Sequence, residues 1–137
     1  MSLNIHAACI DIKNKGVLFL GASGSGKSDM ALRLIAGYQA KLVADDRVDI
    51  SLIQGKIVAS APVVLKGLLE VRGIGLVKIK PQPQTTIDLV VELTSSGLER
   101  MPEAAFYELC GIKLPLVKIN PFEISAPAKV LAALSLL

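Results

Sequence analysis

Short apolar blocks separated by polar turns make up most of the chain, and most of them have the pattern of strands. Segment 5–12 predicts a strand in which Ala8, Ile10 and Ile12 share one face. A polar turn at 13–16 follows. The unbroken apolar run at 17–20 is typical of a buried parallel strand. Together these two segments predict a hairpin.

Helical spacing appears twice. The first predicted helix covers about 27–36 and ends at Gly37, with core positions at Met30, Ala31, Leu34 and Ile35. The second covers 126–137 behind the N-cap candidate Ser125, and Pro127 is tolerated in its first turn. Its core-facing residues are Val130, Leu131 and Leu134.

The remaining segments predict further strands and loops. Strands are expected at 41–44, 48–53, 56–60 and 87–93, and Gln54-Gly55 marks a hairpin. In 87–93, the face shared by alternate residues is Ile87, Leu89, Val91 and Leu93. Segment 62–66 is a turn or short helix, 68–80 mixes apolar runs with glycines, and 81–84 is a loop. Segment 103–109 fits a helix or a strand, and Pro115 makes 113–119 an edge strand.

Composition narrows the class of protein. The 137 residues are 52% hydrophobic and 20% charged, which suits one globular domain over 1–137. No apolar window could span a bilayer and no signal peptide is visible, so we expect a cytoplasmic protein without a membrane partner. Scattered charges, 4% aromatic residues and no tryptophan argue against a nucleic-acid partner. Cys9 and Cys110 match no metal spacing and are expected as reduced thiols.

One stretch carries a specific chemistry. Segment 21–28 fits the phosphate-binding pattern G-x-x-x-x-G-K-[ST], and its residues are Gly21, Ala22, Ser23, Gly24, Ser25, Gly26, Lys27 and Ser28. Its glycines allow backbone N–H groups to surround an anion, and a helix starting near Lys27 adds its positive end. In this pattern, Lys27 reaches the β- and γ-phosphates of a nucleotide and Ser28 binds Mg²⁺. A strand before it and a helix after it make a chance match improbable.

Other candidate residues are less specific by themselves. Asp45-Asp46 ends a predicted strand, where carboxylates can hold Mg²⁺ or accept a proton, although the pair also fits a simple turn. Glu70 and Arg72 stand beside two glycines, which fits a ligand site or a bulged strand with a surface ion pair. A lone histidine such as His6 is usually a packing or surface residue.

The motifs taken together resemble the catalytic domain of HPr kinase/phosphorylase, in a short form similar to alphaproteobacterial members. The resemblance rests on four segments: His6-Ala7, Gly21–Ser28, Ala44–Val48 and Leu68–Gly75. The last one, Leu-Leu-Glu-Val-Arg-Gly-Ile-Gly, is the family's own signature. The resemblance implies an α/β fold, a single P-loop domain with a mixed sheet similar to phosphoenolpyruvate carboxykinase.

The resemblance also implies an activity and its residues. ATP would phosphorylate a seryl residue of the phosphocarrier HPr, and inorganic phosphate could remove it again, in a hexamer. Asp46 would be the base of the forward reaction and the acid of the reverse, with Asp45 supporting it, and Ser28 and Glu70 would serve Mg²⁺. His6 would be the active-site histidine, and Arg100, a weaker match, would contact the transferred phosphoryl group. Segment 69–78 matches the segment linked to both directions.

The sequence departs from the family pattern at three points, which affect the kinase and phosphorylase reactions differently. There is no room for the N-terminal domain of larger members, and the loop after Lys78 is short. An arginine-rich Pro-Gly stretch tied to dephosphorylation is replaced by 115–123, which holds no arginine. The kinase reaction is thus better supported than the phosphorylase. A small-molecule P-loop kinase and a nucleotide-sensing regulator without turnover are the alternatives.

Overall fold

The first two predicted strands form as three. The computed structural model describes residues 2–137. Segment 5–12 is broken at Ala7 into β1 (Ser2–His6) and β2 (Ala8–Ile12), and β3 (Lys15–Leu20) returns antiparallel to β2. The predicted hairpin is therefore confirmed, whereas the prediction of a single strand over 5–12 was wrong. The break lets β1 pair with a different part of the sheet, because its partner is β5.

The next elements keep the predicted order. They are α1 (Lys27–Tyr38), β4 (Lys41–Ala44), β5 (Arg47–Ile53), β6 (Lys56–Ser60) and a short 3₁₀ turn at Val63–Leu65. Gly37 does not end α1. The helix continues one residue beyond it and is terminated by Gln39 in the left-handed conformation, with φ of 61°.

A small hairpin and a long central strand follow. The signature segment folds into β7 (Leu68–Val71) and β8 (Gly75–Lys78), a two-stranded sheet of its own. β9 (Gln84–Leu93) then runs parallel to β3, with a register shift at Asp88. This bulge places Ile87 on the opposite face from Leu89, so the prediction that both share a face was wrong.

The C-terminal part completes the main sheet. The ambiguous segment forms β10 (Ala105–Leu109), and β11 (Ile112–Ile119) pairs with β10 on one side and with β9 on the other. The edge position predicted for β11 was therefore wrong. Pairing with β9 begins only at Leu116, so the missing N–H of Pro115 falls outside that ladder. The last helix, α2 (Ala126–Leu134), ends three residues earlier than predicted.

Within residues 2–137, nine strands form one mixed sheet with two apolar faces. The order along its main path is β1-β5-β6-β9-β3-β2-β4, and β11 joins at β9 with β10 outside it. Both helices cover one face, which carries the predicted row Ala8, Ile10 and Ile12. The other face packs against residues of β5, β6 and the β10–β11 pair. The mixed α/β class predicted from sequence is confirmed. The loops after β3, β4 and β11 and the β7–β8 hairpin border one cavity.

Candidate active site

Segment 21–28, hereafter the glycine loop, forms a tight turn between β3 and α1. Gly24 and Gly26 have φ of 79° and 98°, a backbone region that side chains with a Cβ disfavour. The Ser25 N–H donates to the Ala22 carbonyl at 3.0 Å, and the first helical bond runs from Met30 N–H to Gly26 O at 2.9 Å. The helix begins at Lys27, as predicted. Its free N–H groups therefore face the cavity that the loop lines.

Lys27 is buried at the start of α1, with only 7% of its surface exposed. Its Nζ donates to the carbonyl oxygens of Gly21 and Ala22, at 2.8 and 3.0 Å. Burial lowers its pKa from the usual value, and the nearby carboxylates of Asp45 and Asp46 oppose that shift. The ammonium group is thus held by the glycine loop on one side and is close to the acidic pair on the other.

Asp45 joins three elements through both of its carboxylate oxygens. Ser28 Oγ donates to Oδ1 at 2.7 Å, and the Glu70 backbone N–H donates to Oδ2 at 3.0 Å. The residue is only 4% exposed. Because both oxygens are engaged and the carboxylate is buried, Asp45 fixes the Ser28 hydroxyl and the start of the β7–β8 hairpin relative to β4. This suits the supporting role rather than that of a free base.

Asp46 has a different environment from its neighbour. The Arg47 N–H donates to the Asp45 carbonyl at 2.8 Å, and Asp46 between them has φ of 72°, which defines a strained γ-turn with positive φ. Its side chain is 59% exposed and lines the cavity. The turn therefore leaves one accessible carboxylate at the cavity.

His6 and the β7–β8 hairpin bring the remaining predicted residues to the cavity. His6 Nε2 lies 3.9 Å from Asp46 Oδ1, and the Ala7 N–H donates to the Asp46 carbonyl at 3.3 Å. The β1–β2 break thus sets the histidine beside the exposed acid. Glu70 and Arg72, at the end of β7, also line the cavity.

Arg100 is placed elsewhere. It lies exposed in the irregular segment between β9 and β10 and is not among the residues that line the cavity. Lys113 and Lys118, on β11, do not line it either. The structure therefore brings to one cavity His6, Asp45, Asp46, Glu70 and five residues of the glycine loop: Ser23, Gly24, Gly26, Lys27 and Ser28. The predicted site residues Gly21, Ala22, Ser25 and Arg100 are not among those that line it.

Sequence analysis missed a wall of the cavity formed by α1 and the loop after β11. Asp29 and Arg33 form an ion pair at 3.1 Å, and Arg33 Nη2 also donates to the Pro121 carbonyl. Pro121 and Phe122 complete this wall. The i, i+4 spacing of Asp29 and Arg33 was a visible signal for their pairing, but the contact with Pro121 joins positions 88 residues apart.

The cavity has a volume of about 380 Å³. Ser28, Asp45 and Glu70, residues whose side chains carry oxygen atoms, all line it. Within residues 2–137, no cluster of three or more His, Cys, Asp or Glu side chains could hold a metal ion alone. Proteins usually bind Mg²⁺ through one or two carboxylates together with substrate phosphates, and Asp45 and Glu70 are the carboxylates that could serve it here.

Two other sequence expectations are answered by the described part of the chain. None of its helices is both long and apolar enough to cross a membrane. Cys9 is a buried free cysteine and Cys110 a half-buried one. Burial, with a smaller effect from Asp11, raises the pKa of Cys9 far above its usual value.

Comparison with known proteins supports the same resemblance. Proteins named HPr kinase/phosphorylase from Lactobacillus acidophilus and Cupriavidus necator are 35% and 37% identical to this chain over 129 and 130 residues. The matches cover 85% and 86% of this chain and 40% of each relative. The chain thus spans about two fifths of the length of these relatives.

A solved structure and a family model extend the match to almost the whole chain. The structure of Hpr(Ser) kinase/phosphatase from Coxiella burnetii matches with a TM-score of 0.83, covering 97% of this chain and 94% of that one. Its 24% sequence identity means that this likeness shows the fold. The family model described as HPr Serine kinase C-terminal domain matches residues 1–133. The chain therefore belongs to the HPr serine kinase C-terminal domain family.

Proposed function

We propose that residues 1–137 act as one catalytic P-loop domain that transfers the γ-phosphoryl group of ATP to a seryl hydroxyl of HPr. A phosphoenolpyruvate-carboxykinase-like arrangement is part of the proposal. The observation that carries it is the placement of Lys27, Ser28 and the exposed Asp46 carboxylate on one cavity. Transfer of a phosphoryl group needs these three functions within one site: an anion-binding loop, a hydroxyl for the metal and a base.

In the forward direction, the HPr seryl oxygen attacks the γ-phosphorus and ADP leaves. Asp46 takes the proton of the attacking hydroxyl, since it is the accessible carboxylate of the pair. His6 borders that carboxylate, with its Nε2 3.9 Å from Asp46 Oδ1. Lys27 neutralises charge on the β- and γ-phosphates, as does the positive end of α1. Ser28 and Glu70, with Asp45 behind Ser28, would hold Mg²⁺, which when bound would neutralise negative charge on the phosphates.

In the reverse direction, inorganic phosphate attacks the phosphorus of seryl-phosphorylated HPr. Asp46 returns its proton to the departing seryl oxygen, and pyrophosphate is released. The phosphate would occupy the part of the glycine loop that holds the γ-phosphoryl group in the forward reaction. We also propose, by resemblance to the family, a hexamer in the cytoplasm, with Arg100 in reach of the phosphoryl group only if another subunit or a movement brings it there.

Mass spectrometry of HPr tests the proposal directly. HPr is incubated with this protein, Mg²⁺ and ATP, and the expected product carries one added phosphoryl group on a serine. Omitting Mg²⁺, or replacing the target serine with alanine, should abolish the product. An unmodified HPr, with a protein that binds ATP normally, would contradict the proposed substrate.

ATP turnover separates the two alternatives. Turnover that requires HPr supports the protein kinase. Turnover that is the same with and without HPr but depends on a metabolite would indicate a small-molecule kinase. ATP binding without any turnover would indicate a nucleotide-sensing regulator.

A further inference from the structure

Phe122 is an aromatic residue with its side chain in water at the edge of the cavity. It lines the same cavity as the glycine loop and is 77% exposed. Phe122 belongs to segment 115–123, which holds no arginine. Nothing in the phosphoryl-transfer steps described above uses it.

The backbone that carries Phe122 is fixed on the side of the glycine loop. Pro121 is buried, and a Cβ on Gly26 would lie 3.4 Å from the Pro121 Cβ, so the two residues are in direct contact. Arg33 donates to the Pro121 carbonyl while its ion pair with Asp29 holds the guanidinium in place. The base of the Phe122 side chain is therefore tied to the first two turns of α1.

Hydrogen bonds within the loop hold it from the other side. The Phe122 N–H donates to Asn120 Oδ1 at 3.0 Å, and the Glu123 N–H donates to the Asn120 carbonyl at 3.3 Å. The Glu123 carboxylate is bound by Lys129 of α2 at 2.6 Å. An exposed aromatic ring on a restrained backbone can bind a flat ligand with little further loss of backbone entropy.

We propose that the ring of Phe122 is the platform on which the base of the bound nucleotide stacks. The inference rests on the proposed binding of ATP at the glycine loop. A nucleotide held there by its phosphates leaves a flat purine ring to be covered, and Phe122 is the aromatic residue that lines this cavity. Leu32 and Val71 add apolar wall. Asp29 and Arg33, which could read the edge of a base, are paired with each other.

Two consequences follow if the base stacks on the Phe122 ring and no side chain contacts the edge of the base. Removing the ring should weaken ATP binding by about tenfold, as is typical for loss of one aromatic stacking partner, and should leave binding of tripolyphosphate almost unchanged. ATP and GTP should bind with similar affinity, because any purine offers a flat face.

The absence of tryptophan from the chain allows a direct test. Phe122→Trp introduces a single indole at the proposed platform, and Ile124→Trp introduces one two residues away. Ile124 is 99% exposed and does not line the cavity, so it is a matched control. ATP should quench the fluorescence of the Phe122→Trp protein and not that of the Ile124→Trp protein. Tripolyphosphate should bind to both without quenching, and Phe122→Ala should show the tenfold loss for ATP by calorimetry.

Each other outcome contradicts the inference in a recognisable way. If calorimetry shows normal ATP binding to the Phe122→Trp and Phe122→Ala proteins without quenching, the platform is wrong and the proposed function stands. If HPr alone changes the fluorescence and ATP does not, Phe122 contacts the protein substrate instead. If the unsubstituted protein binds neither ATP nor tripolyphosphate, the proposed function itself fails.

Discussion

Lys27 is the residue whose charge has the most direct part in the proposed transfer. Lys27→Ala should reduce phosphorylation of HPr by about 10²–10³-fold, because it removes a buried cation facing the transferring phosphoryl group. The rate of product formation at saturating ATP measures this. Lys56, an exposed lysine on β6, provides the control variant Lys56→Ala, which should keep the original rate. A normal rate for Lys27→Ala would exclude the glycine loop as the phosphate site.

The two acids should respond differently to the same substitution. Asp46→Asn should lower both directions by about 10²-fold or more, because the amide cannot take a proton. Asparagine tolerates the positive φ at this position, so the γ-turn should survive. Asp45→Asn should instead lower the rate by weakening Mg²⁺ binding, since it disturbs the bond to Ser28, and added Mg²⁺ should partly restore activity. Titration of the rate with Mg²⁺ distinguishes them. A larger loss for Asp45→Asn at saturating Mg²⁺ would reverse the assigned roles.

At the residue scale, the sequence predicted the identity of the candidate site residues. It did not predict the contacts that hold their side chains in place. Residue type and spacing indicated Lys27, Ser28 and the acidic pair. The difference between Asp45 and Asp46 depends on a γ-turn and on contacts with Ser28 and Glu70, which lie 17 and 25 residues from Asp45. Such contacts leave no periodic signal, so only the structure separates the buried acid from the exposed one.

At the element scale, the bulge in β9 leaves no room for a side chain at the facing position of its partner strand β3. Gly16 on β3 lies opposite it, where a Cβ would come within 2.3 Å of the Thr86 carbonyl oxygen. Gly16→Ala should therefore destabilise the fold by about 1–3 kcal/mol through overpacking. Gly37 in α1 is the control, because a Cβ there meets nothing within 4 Å. Gly37→Ala should stabilise by about 0.5–1 kcal/mol, since alanine favours the helix. Urea unfolding measures both, and equal midpoints would refute this view of the bulge.

The same bulge shows where prediction of elements stops. The alternating pattern in 87–93 was correct for three of its four residues and failed for Ile87, because one inserted residue reverses the faces. The break at Ala7 escaped prediction for a related reason. Both halves of 5–12 are extended, and the chain turns there only because β1 finds its partner in β5. Local propensity located the strands, and long-range pairing decided their limits.

At the scale of the whole molecule, association is the first prediction. Several large apolar side chains are exposed, including Val63 at 90% and Val64 at 82% in one 3₁₀ turn. Exposed apolar groups of this kind often mark surfaces buried in an assembly. We expect a ring-shaped oligomer, by resemblance a hexamer, and light scattering at micromolar concentration measures its mass. A monomer under those conditions would contradict the expectation.

The cavity is also a property of the whole molecule. Residues from β1, α1, the turn after β4, the β7–β8 hairpin and the loop after β11 meet there. The motifs taken together predicted most of this assembly, because their combination resembles one family although most of them are unspecific alone. The wall of Arg33, Pro121 and Phe122 has no such pattern. In the sequence, segment 115–123 stood out only because it differs from the family pattern. In the structure, two of its residues, Pro121 and Phe122, line the cavity.

The balance of the two directions is the last prediction. Phosphorolysis requires inorganic phosphate to be held beside the glycine loop, and the planar guanidinium group of arginine suits that better than an ammonium group. The lysines of β11 do not line the cavity, whereas Arg72 does, and its side chain makes no hydrogen bond or ion pair within residues 2–137. With Lys27 and one available guanidinium, we expect phosphorolysis to be present but slower than phosphorylation.

Arg72→Lys isolates that guanidinium. It should slow pyrophosphate release from seryl-phosphorylated HPr by about tenfold, the equivalent of one charge-assisted hydrogen bond, and slow phosphorylation less, because ATP brings its own phosphates bound to the glycine loop. Arg100→Lys is the comparison variant, since Arg100 does not line the cavity of its own chain. It should change neither the rate of phosphorylation nor the rate of pyrophosphate release. A larger loss from Arg100→Lys would mean that Arg100 reaches the phosphoryl group in the working enzyme, as the family resemblance implies. Phosphorolysis as fast as phosphorylation in the unsubstituted protein would show that the arginines of the family's late segment are not needed.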